Sequence, residues 1–253
     1  MSSIEVRDAR VKFGALTAVD GVSLTVATGA SLGVVGESGS GKTTLAKAIV
    51  GQQPLTSGTI SLDGVELGAR RTKEQRRAIQ MVYQDPYSSL NPRMTVRQTL
   101  SELLVAHKIV PRSEIRRRCV ELLEMVRLDA DALDAFPHQF SGGQRQRIAI
   151  ARALSVDPLV LVADEPTSAL DVSVQATVIE LLARLKRELG LTLVFISHDL
   201  AVVNAVCDTV AVMNHGELVE VASTSTFFTS PADPYSRALL EAVPRLDSES
   251  TTR

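Results

Sequence analysis

The sequence predicts an α/β fold, a sheet with crossover helices interrupted by an all-helical insert. Three observations carry this expectation. Residues 30–35 are a run of small and β-branched side chains, the pattern of a strand buried on both faces, and they feed into a glycine-rich loop and a helix. Residues 159–163 are a second apolar strand, closed by Asp164 and Glu165. From about Thr95 to Ala135 the apolar residues recur every three or four positions, which is helical spacing.

In chain order, Ile4–Phe13 alternates loosely and reads as a strand, with a turn at Gly14. Leu16–Val26 reads as further strand, broken near Asp20-Gly21. After the buried strand, Lys42–Val50 is a helix. Residues 58–67 form a hairpin turning at Asp63-Gly64, a dipeptide suited to a tight turn, and residues 79–83 are a short strand. Val96–His107 and residues 113–126 are the helices of the insert, which spans about 88–135. A helix at 144–154 leads to the strand at 159–163, followed by the long helix Val172–Leu189 and the strand Thr192–Ile196. Residues 208–213 and 217–221 are late strands. A short helix follows Asp233-Pro234-Tyr235, and a polar tail begins at Asp247.

The 253 residues carry a net charge of −2, where a nucleic-acid binder is more often basic, so no nucleic-acid partner is expected. Cys119 and Cys207 are far apart and read as reduced thiols. The first ten residues lack the apolar stretch of a secretory signal. No apolar run approaches the roughly 20 residues that cross a bilayer, so any work at a membrane requires a partner that holds the chain there.

Gly36-Glu37-Ser38-Gly39-Ser40-Gly41-Lys42-Thr43 fits G-x-x-x-x-G-K-[ST], between a strand and a helix as that motif requires. Glycines let backbone N–H groups turn around phosphate oxygens, and the helix adds the positive end of its dipole. Lys42 is expected at the β- and γ-phosphates and the Thr43 hydroxyl on Mg²⁺. Asp164 ends a strand where ligands of parallel sheets bind, and is expected to hold Mg²⁺; Glu165, one residue on, is placed to polarise water. Ser141-Gly142-Gly143-Gln144 opens a helix and makes a second anion-binding surface. Two such loops grip one γ-phosphate only if they face each other within a chain or belong to two chains packed head to tail.

These motifs resemble, over essentially the whole length, the ATP-binding subunit of an ABC transporter. The resemblance implies a P-loop ABC ATPase domain over residues 1–230. It would have a RecA-like core, an antiparallel β subdomain and the helical subdomain inserted at about 88–135, with a C-terminal tail over 231–253. It assigns Gly36, Ser38, Gly39, Ser40, Gly41, Lys42, Thr43 and Thr44 to nucleotide binding, with Phe13 as the aromatic that stacks on adenine. Ser141, Gly142, Gly143 and Gln144 become the family signature, and Asp171, in Ser168-Ala169-Leu170-Asp171, part of the loop that bridges two subunits. Glu165 is the catalytic carboxylate, His198 the switch histidine at the γ-phosphate, and Gln84 senses γ-phosphate and metal, joining Thr43 and Asp164 on Mg²⁺. Phe140 and Phe13 stand where many relatives have Leu and Tyr; stacking needs only the π face.

The run from Gln84 to Val96 and the tail Asp233-Pro234-Tyr235-Ser236-Arg237-Ala238-Leu239 resemble the dipeptide/oligopeptide/nickel importer group, above all its second ATPase subunit. In the tail, Asp233 replaces the group's histidine. No cysteine follows Cys207, so the iron–sulfur cluster of some members is not expected. The resemblance implies two membrane permease subunits, a second ATPase subunit that is a paralogue or a second copy, and an extracytoplasmic binding protein acting indirectly. It places the chain peripherally, on the cytoplasmic face of the plasma membrane of a bacterium or archaeon. Rival readings are a soluble ABC ATPase acting on ribosomes or DNA, an exporter ATPase and a P-loop kinase. The first more often carries two cassettes or long coiled coils, and the last leaves Ser141–Gln144 unexplained. The two Arg-rich runs, 70–77 and 112–118, read as solvated faces.

Overall fold

The computed structural model describes residues 3–242. Strands β1 (Ile4–Phe13), β2 (Leu16–Val26), β4 (Ser57–Leu62) and β5 (Val65–Glu66) form an antiparallel sheet in the order β2-β1-β4-β5. The loose alternation of β1 has a physical cause. Asp8 adopts φ 47° and the register slips between Val6 and Ala9, so burial switches from the even residues Ile4 and Val6 to the odd residues Ala9 and Val11.

The second sheet orders β10 (Glu217–Ser223), β9 (Thr209–Asn214), β3 (Ser31–Val35), β8 (Thr192–Ile196), β7 (Val160–Asp164) and β6 (Ile79–Val82). All pairings are parallel except that of β10. Every residue of β3, β7 and β8 is buried, as expected of strands covered on both faces. Their side chains divide cleanly. Leu32, Val34, Val160, Val162, Val194 and Ile196 face helix α1 (Lys42–Val50) and the antiparallel sheet. Leu161, Ala163, Leu193 and Phe195 face the opposite layer, made by α5 (Gly142–Leu154), α6 (Val172–Leu189) and α7 (Leu200–Val206).

Between β6 and β7 lie α3 (Val96–His107) and α4 (Ile115–Met125), packed on each other and on α5. Leu100, Leu104, Leu122 and Leu123 are buried in the same continuous cluster as Leu161 and Phe195. The insert therefore shares its core with the sheet. α3 begins at Thr95, whose hydroxyl accepts from the Gln98 N–H while the Gln98 side chain accepts from the Thr95 N–H.

Three short helices depart from the sequence expectation. α2 (Lys73–Ala78) buries no residue and is set by a capping box between Thr72 and Gln75. α7, capped by the Asp199 carboxylate, is too short and too apolar to show helical spacing. α8 (Thr224–Thr229) is made of poor helix formers, held by the Ser223 cap and the buried Phe227. The strand expected at 159–163 runs one residue later and takes in Asp164, leaving Leu159 half exposed. The first Arg-rich run is not a solvated face throughout. Arg71 is buried and its guanidinium donates to the Ala48 carbonyl, capping the end of α1. Burial lowers the pKa of that guanidinium. The last helix, α9 (Pro234–Glu241), follows Asp233 as expected, and the polar tail from Asp247 lies outside the described residues.

Candidate functional site

The loop Gly36–Thr43 leaves the end of β3, in the middle of the parallel sheet, and enters α1. Two of its glycines, Gly36 and Gly41, are required by the backbone that supports it. A Cβ on Gly36 would lie 2.1 Å from the Met213 carbonyl oxygen, and one on Gly41 would lie 2.2 Å from that of Ala18. Both also take positive φ, 146° and 102°. The loop thus sits against β9 and β2, and the Gly216 N–H donates to the Ser40 carbonyl. On the other side, Ser38 and Gly39 are exposed. Thr44 is half-buried in the first turn of α1.

Lys42 is buried, 6 % exposed, and its ammonium donates to the carbonyls of Gly36 (2.8 Å) and Glu37 (2.7 Å) and to Ser40 Oγ (3.3 Å). Burial lowers its pKa, against the pull of the Glu165, Asp164 and Glu37 carboxylates. The Thr43 hydroxyl donates to Asp164 Oδ1 at 3.0 Å, across 121 residues of sequence. Burial raises the pKa of Asp164; the Thr43 hydroxyl opposes the rise and the Glu165 charge adds to it. A hydroxyl and a carboxylate side by side are hard oxygen donors, which suits Mg²⁺ held jointly with phosphate oxygens.

Glu165 follows β7 with φ 45°, a conformation a non-glycine residue holds only when its surroundings impose it. Its N–H donates to the Ile196 carbonyl at 3.0 Å, which ties it to the end of β8. His198, two residues beyond β8, brings Nδ1 to 3.3 Å from Glu165 Oε1. The turn carrying His198 is held by the Asp199 N–H donating to Ser197 Oγ, and by Asp199 capping α7. Gln84 is exposed two residues past β6, whose register with β7 pairs Val82 with Ala163. Gln84 therefore emerges at the same end of the sheet as Asp164 and Glu165. Phe13, 49 % exposed, pairs with Leu16 at the tip of the β1–β2 hairpin, the hairpin whose Ala18 backs the glycine loop.

Ser141–Gln144 lies elsewhere. Ser141 caps α5, with its Oγ accepting from the Gln144 N–H while the Gln144 side chain accepts from the Ser141 N–H at 2.9 Å. Its glycines face α6 and the segment before it. A Cβ on Gly143 would meet Val174 Cγ1 at 2.1 Å, and one on Gly142 would meet Leu170 at 3.3 Å. Among the described residues, no hydrogen bond or ion pair joins Ser141–Gln144 to Gly36–Thr43. Asp171 is engaged within its own turn, accepting from the Val174 N–H and the Ser173 hydroxyl, and these two bonds hold its carboxylate below its usual range. The structure makes it the cap of α6 and does not bring it to the glycine loop.

Two connections were not legible in the sequence. The buried Gln146 donates to the Tyr83 carbonyl at 3.2 Å, and Arg145 lies 5.0 Å over the Tyr87 ring and donates to its hydroxyl. Both tie α5 to the segment carrying Gln84. Tyr235, on α9, accepts from the Glu37 N–H in the glycine loop. Each joins residues far apart in the chain, and no local pattern signals either one.

Residues 19–168 match the ABC transporter family, and residues 219–253 match the C-terminal region of oligopeptide/dipeptide transporters. A Brucella ovis protein named for peptide import and ATP binding is 48 % identical over 240 residues, covering 94 % of this chain and 76 % of that protein. Among solved structures, cbiO1 of Clostridium perfringens, part of the ABC transporter complex cbiONQ, superposes with TM-score 0.81 at 30 % identity, covering 90 % of each chain. The dimeric ATP-binding cassette MJ0796, in a post-hydrolysis state with ADP and Pi, gives TM-score 0.77 at 29 % identity, over 87 % of this chain and 98 % of that one. With this sheet order, this glycine loop and these matches, the chain belongs to the ABC transporter family of ATP-binding cassettes.

Proposed function

We propose that this chain hydrolyses ATP to energise import of peptides, or of a related small solute, through a pair of membrane permease subunits. The observation that carries the import reading is the pairing of an ATP-binding cassette with the oligopeptide/dipeptide transporter region over 219–253. The names of relatives at 48 % identity support it. Among the described residues no helix is long and apolar enough to cross a membrane, so the permeases would hold the chain peripherally at the cytoplasmic face.

ATP rests its adenine on Phe13 and its phosphates on residues 36–44, with Lys42 supplying positive charge from inside the loop. Thr43, Asp164 and Gln84 would hold Mg²⁺, which would supply positive charge against the phosphate oxygens. Glu165, fixed between β7 and β8 and flanked by His198, orients the attacking water and accepts its proton. The signature surface Ser141–Gln144, which among the described residues makes no hydrogen bond to its own glycine loop, serves the nucleotide of a second ATPase subunit, a paralogue or another copy. The dimeric cassette with ADP and Pi supports that arrangement. ATP favours the closed pair because only ATP bridges both surfaces. Gln146 and Arg145 then carry movement of the signature helix to the segment 84–96, on the permease side. The 1–230 cassette thus acts as the motor, with the 231–253 tail appended to it.

Affinity capture of the tagged chain from detergent-solubilised native membranes, read by mass spectrometry, tests this. Two permease subunits and a second ATPase are expected. Recovery of ribosomal or DNA-repair proteins without permeases would overturn the transport reading.

A further inference from the structure

The C-terminal helix α9 is built onto the phosphate loop. Tyr235 Oη accepts a hydrogen bond from the Glu37 N–H at 3.1 Å, across 198 residues of sequence. The helix that presents it is fixed at its start. The Asp233 carboxylate caps it by accepting from the Tyr235 N–H at 2.8 Å. The Glu220 carboxylate on β10 accepts from the N–H groups of Ala232 (2.9 Å) and Asp233 (3.0 Å). Arg237 donates to the carbonyls of Pro231 (3.1 Å) and Ala232 (2.9 Å). One turn on, Leu239 and Ala242 form a wall of a groove of about 410 Å³, whose other walls include Gly36, His198 and Leu200. The same helix thus touches the loop at its first turn and the histidine's groove at its last.

Glu37 needs an external hold. It is exposed; inside the loop the Ser40 N–H donates to its carbonyl at 3.2 Å, while its N–H, on the side of Gly36 at φ 146°, finds its partner in Tyr235 outside the loop. Lys42 grips the Gly36 carbonyl from inside the loop, and Tyr235 holds the N–H of the same Gly36–Glu37 peptide unit from outside. A peptide unit fixed at both ends keeps the loop in one arrangement. Any loss of that arrangement lowers apparent nucleotide affinity by the fraction of molecules still competent to bind.

We propose that Tyr235 is a positioning residue of the ATPase, and that α9 couples the C-terminal segment to nucleotide affinity through the Tyr235–Glu37 bond. This rests on the ATPase reading above. Tyr235→Phe removes only the hydroxyl and keeps the ring. Expected is a rise of about 3- to 10-fold in both the ATP dissociation constant and KM, the range of one net hydrogen bond, with a smaller change in kcat. The thermal midpoint without nucleotide should stay near wild type, while the added stabilisation by ATP shrinks. The test uses the full chain with a fluorescent ATP analogue and steady-state hydrolysis. Unchanged affinity and KM in Tyr235→Phe would overturn the proposal, as would a lowered nucleotide-free midpoint with unchanged affinity, the mark of a purely structural role. If wild type itself fails to bind ATP, the ATPase reading falls; if wild type binds and the variant matches it, only the role of Tyr235 falls.

Discussion

Gly143 offers a test in which a single methyl group changes sign. Its added Cβ would lie 2.1 Å from Val174 Cγ1, about 1.4 Å inside the ~3.5 Å of ordinary carbon contact. Val174 has little room to retreat. Its N–H is bonded to the Asp171 cap, and a β-branched side chain in a helix strongly prefers one rotamer. Overpacking of this kind costs about 1–3 kcal/mol, while replacing a helical glycine by alanine returns about 1 kcal/mol. Gly143→Ala alone should therefore destabilise by about 1 kcal/mol. Val174 is only half-buried, so Val174→Ala alone should cost less than about 1 kcal/mol. In the Val174→Ala background the clash is gone, and Gly143→Ala should become neutral or stabilising. Urea unfolding of the four proteins, followed by circular dichroism, gives the coupling energy, expected at about 1–2 kcal/mol. Additivity within about 0.3 kcal/mol would refute the claim that the signature glycine exists to let α6 approach.

Glu165→Gln should retain ATP binding and lose about 10²- to 10⁴-fold in turnover, measured by phosphate release; wild-type turnover would remove Glu165 from the mechanism. Lys42→Ala should lose tight ATP binding in calorimetry, and undiminished affinity would count against the glycine loop as the phosphate site. Asp208 provides a pH dependence. Burial pushes its carboxyl up, but hydrogen bonds from Lys186 and Ser31 outweigh it and hold the folded pKa below the ordinary 3.8. The stability it contributes is present above that ordinary value and is lost as pH falls through the lower folded one. Asp208→Asn should thus be less stable than wild type at about pH 7, with the gap narrowing below about pH 4. A gap that widens with acid would reverse the sign of the linkage.

The longer elements were legible because their patterns are long or unambiguous. Val96–His107, Val172–Leu189 and Thr192–Ile196 fall where the spacing puts them. The short helices α2, α7 and α8 escaped because seven residues or fewer show too little period, although the Thr72–Gln75 capping box was there to be read. In the site, motif order pointed to Thr43, Asp164, Glu165 and His198, and the fold gathers them at one end of the parallel sheet. The contacts that sequence could not supply join residues far apart in the chain. Gln146 reaching Tyr83 and Tyr235 reaching Glu37 depend on how whole layers pack, which no local pattern encodes. Arg71 shows the same limit from the other side: its charge run suggests solvent, and packing turns it into a helix cap.

The central claim is that hydrolysis at this site drives solute across a membrane. The purified complex should be reconstituted in proteoliposomes with ATP and Mg²⁺ supplied on the cassette side, and uptake of labelled peptides followed for wild type and Glu165→Gln. The account predicts ATP-dependent accumulation by wild type and none by the variant. Equal accumulation by both would contradict it.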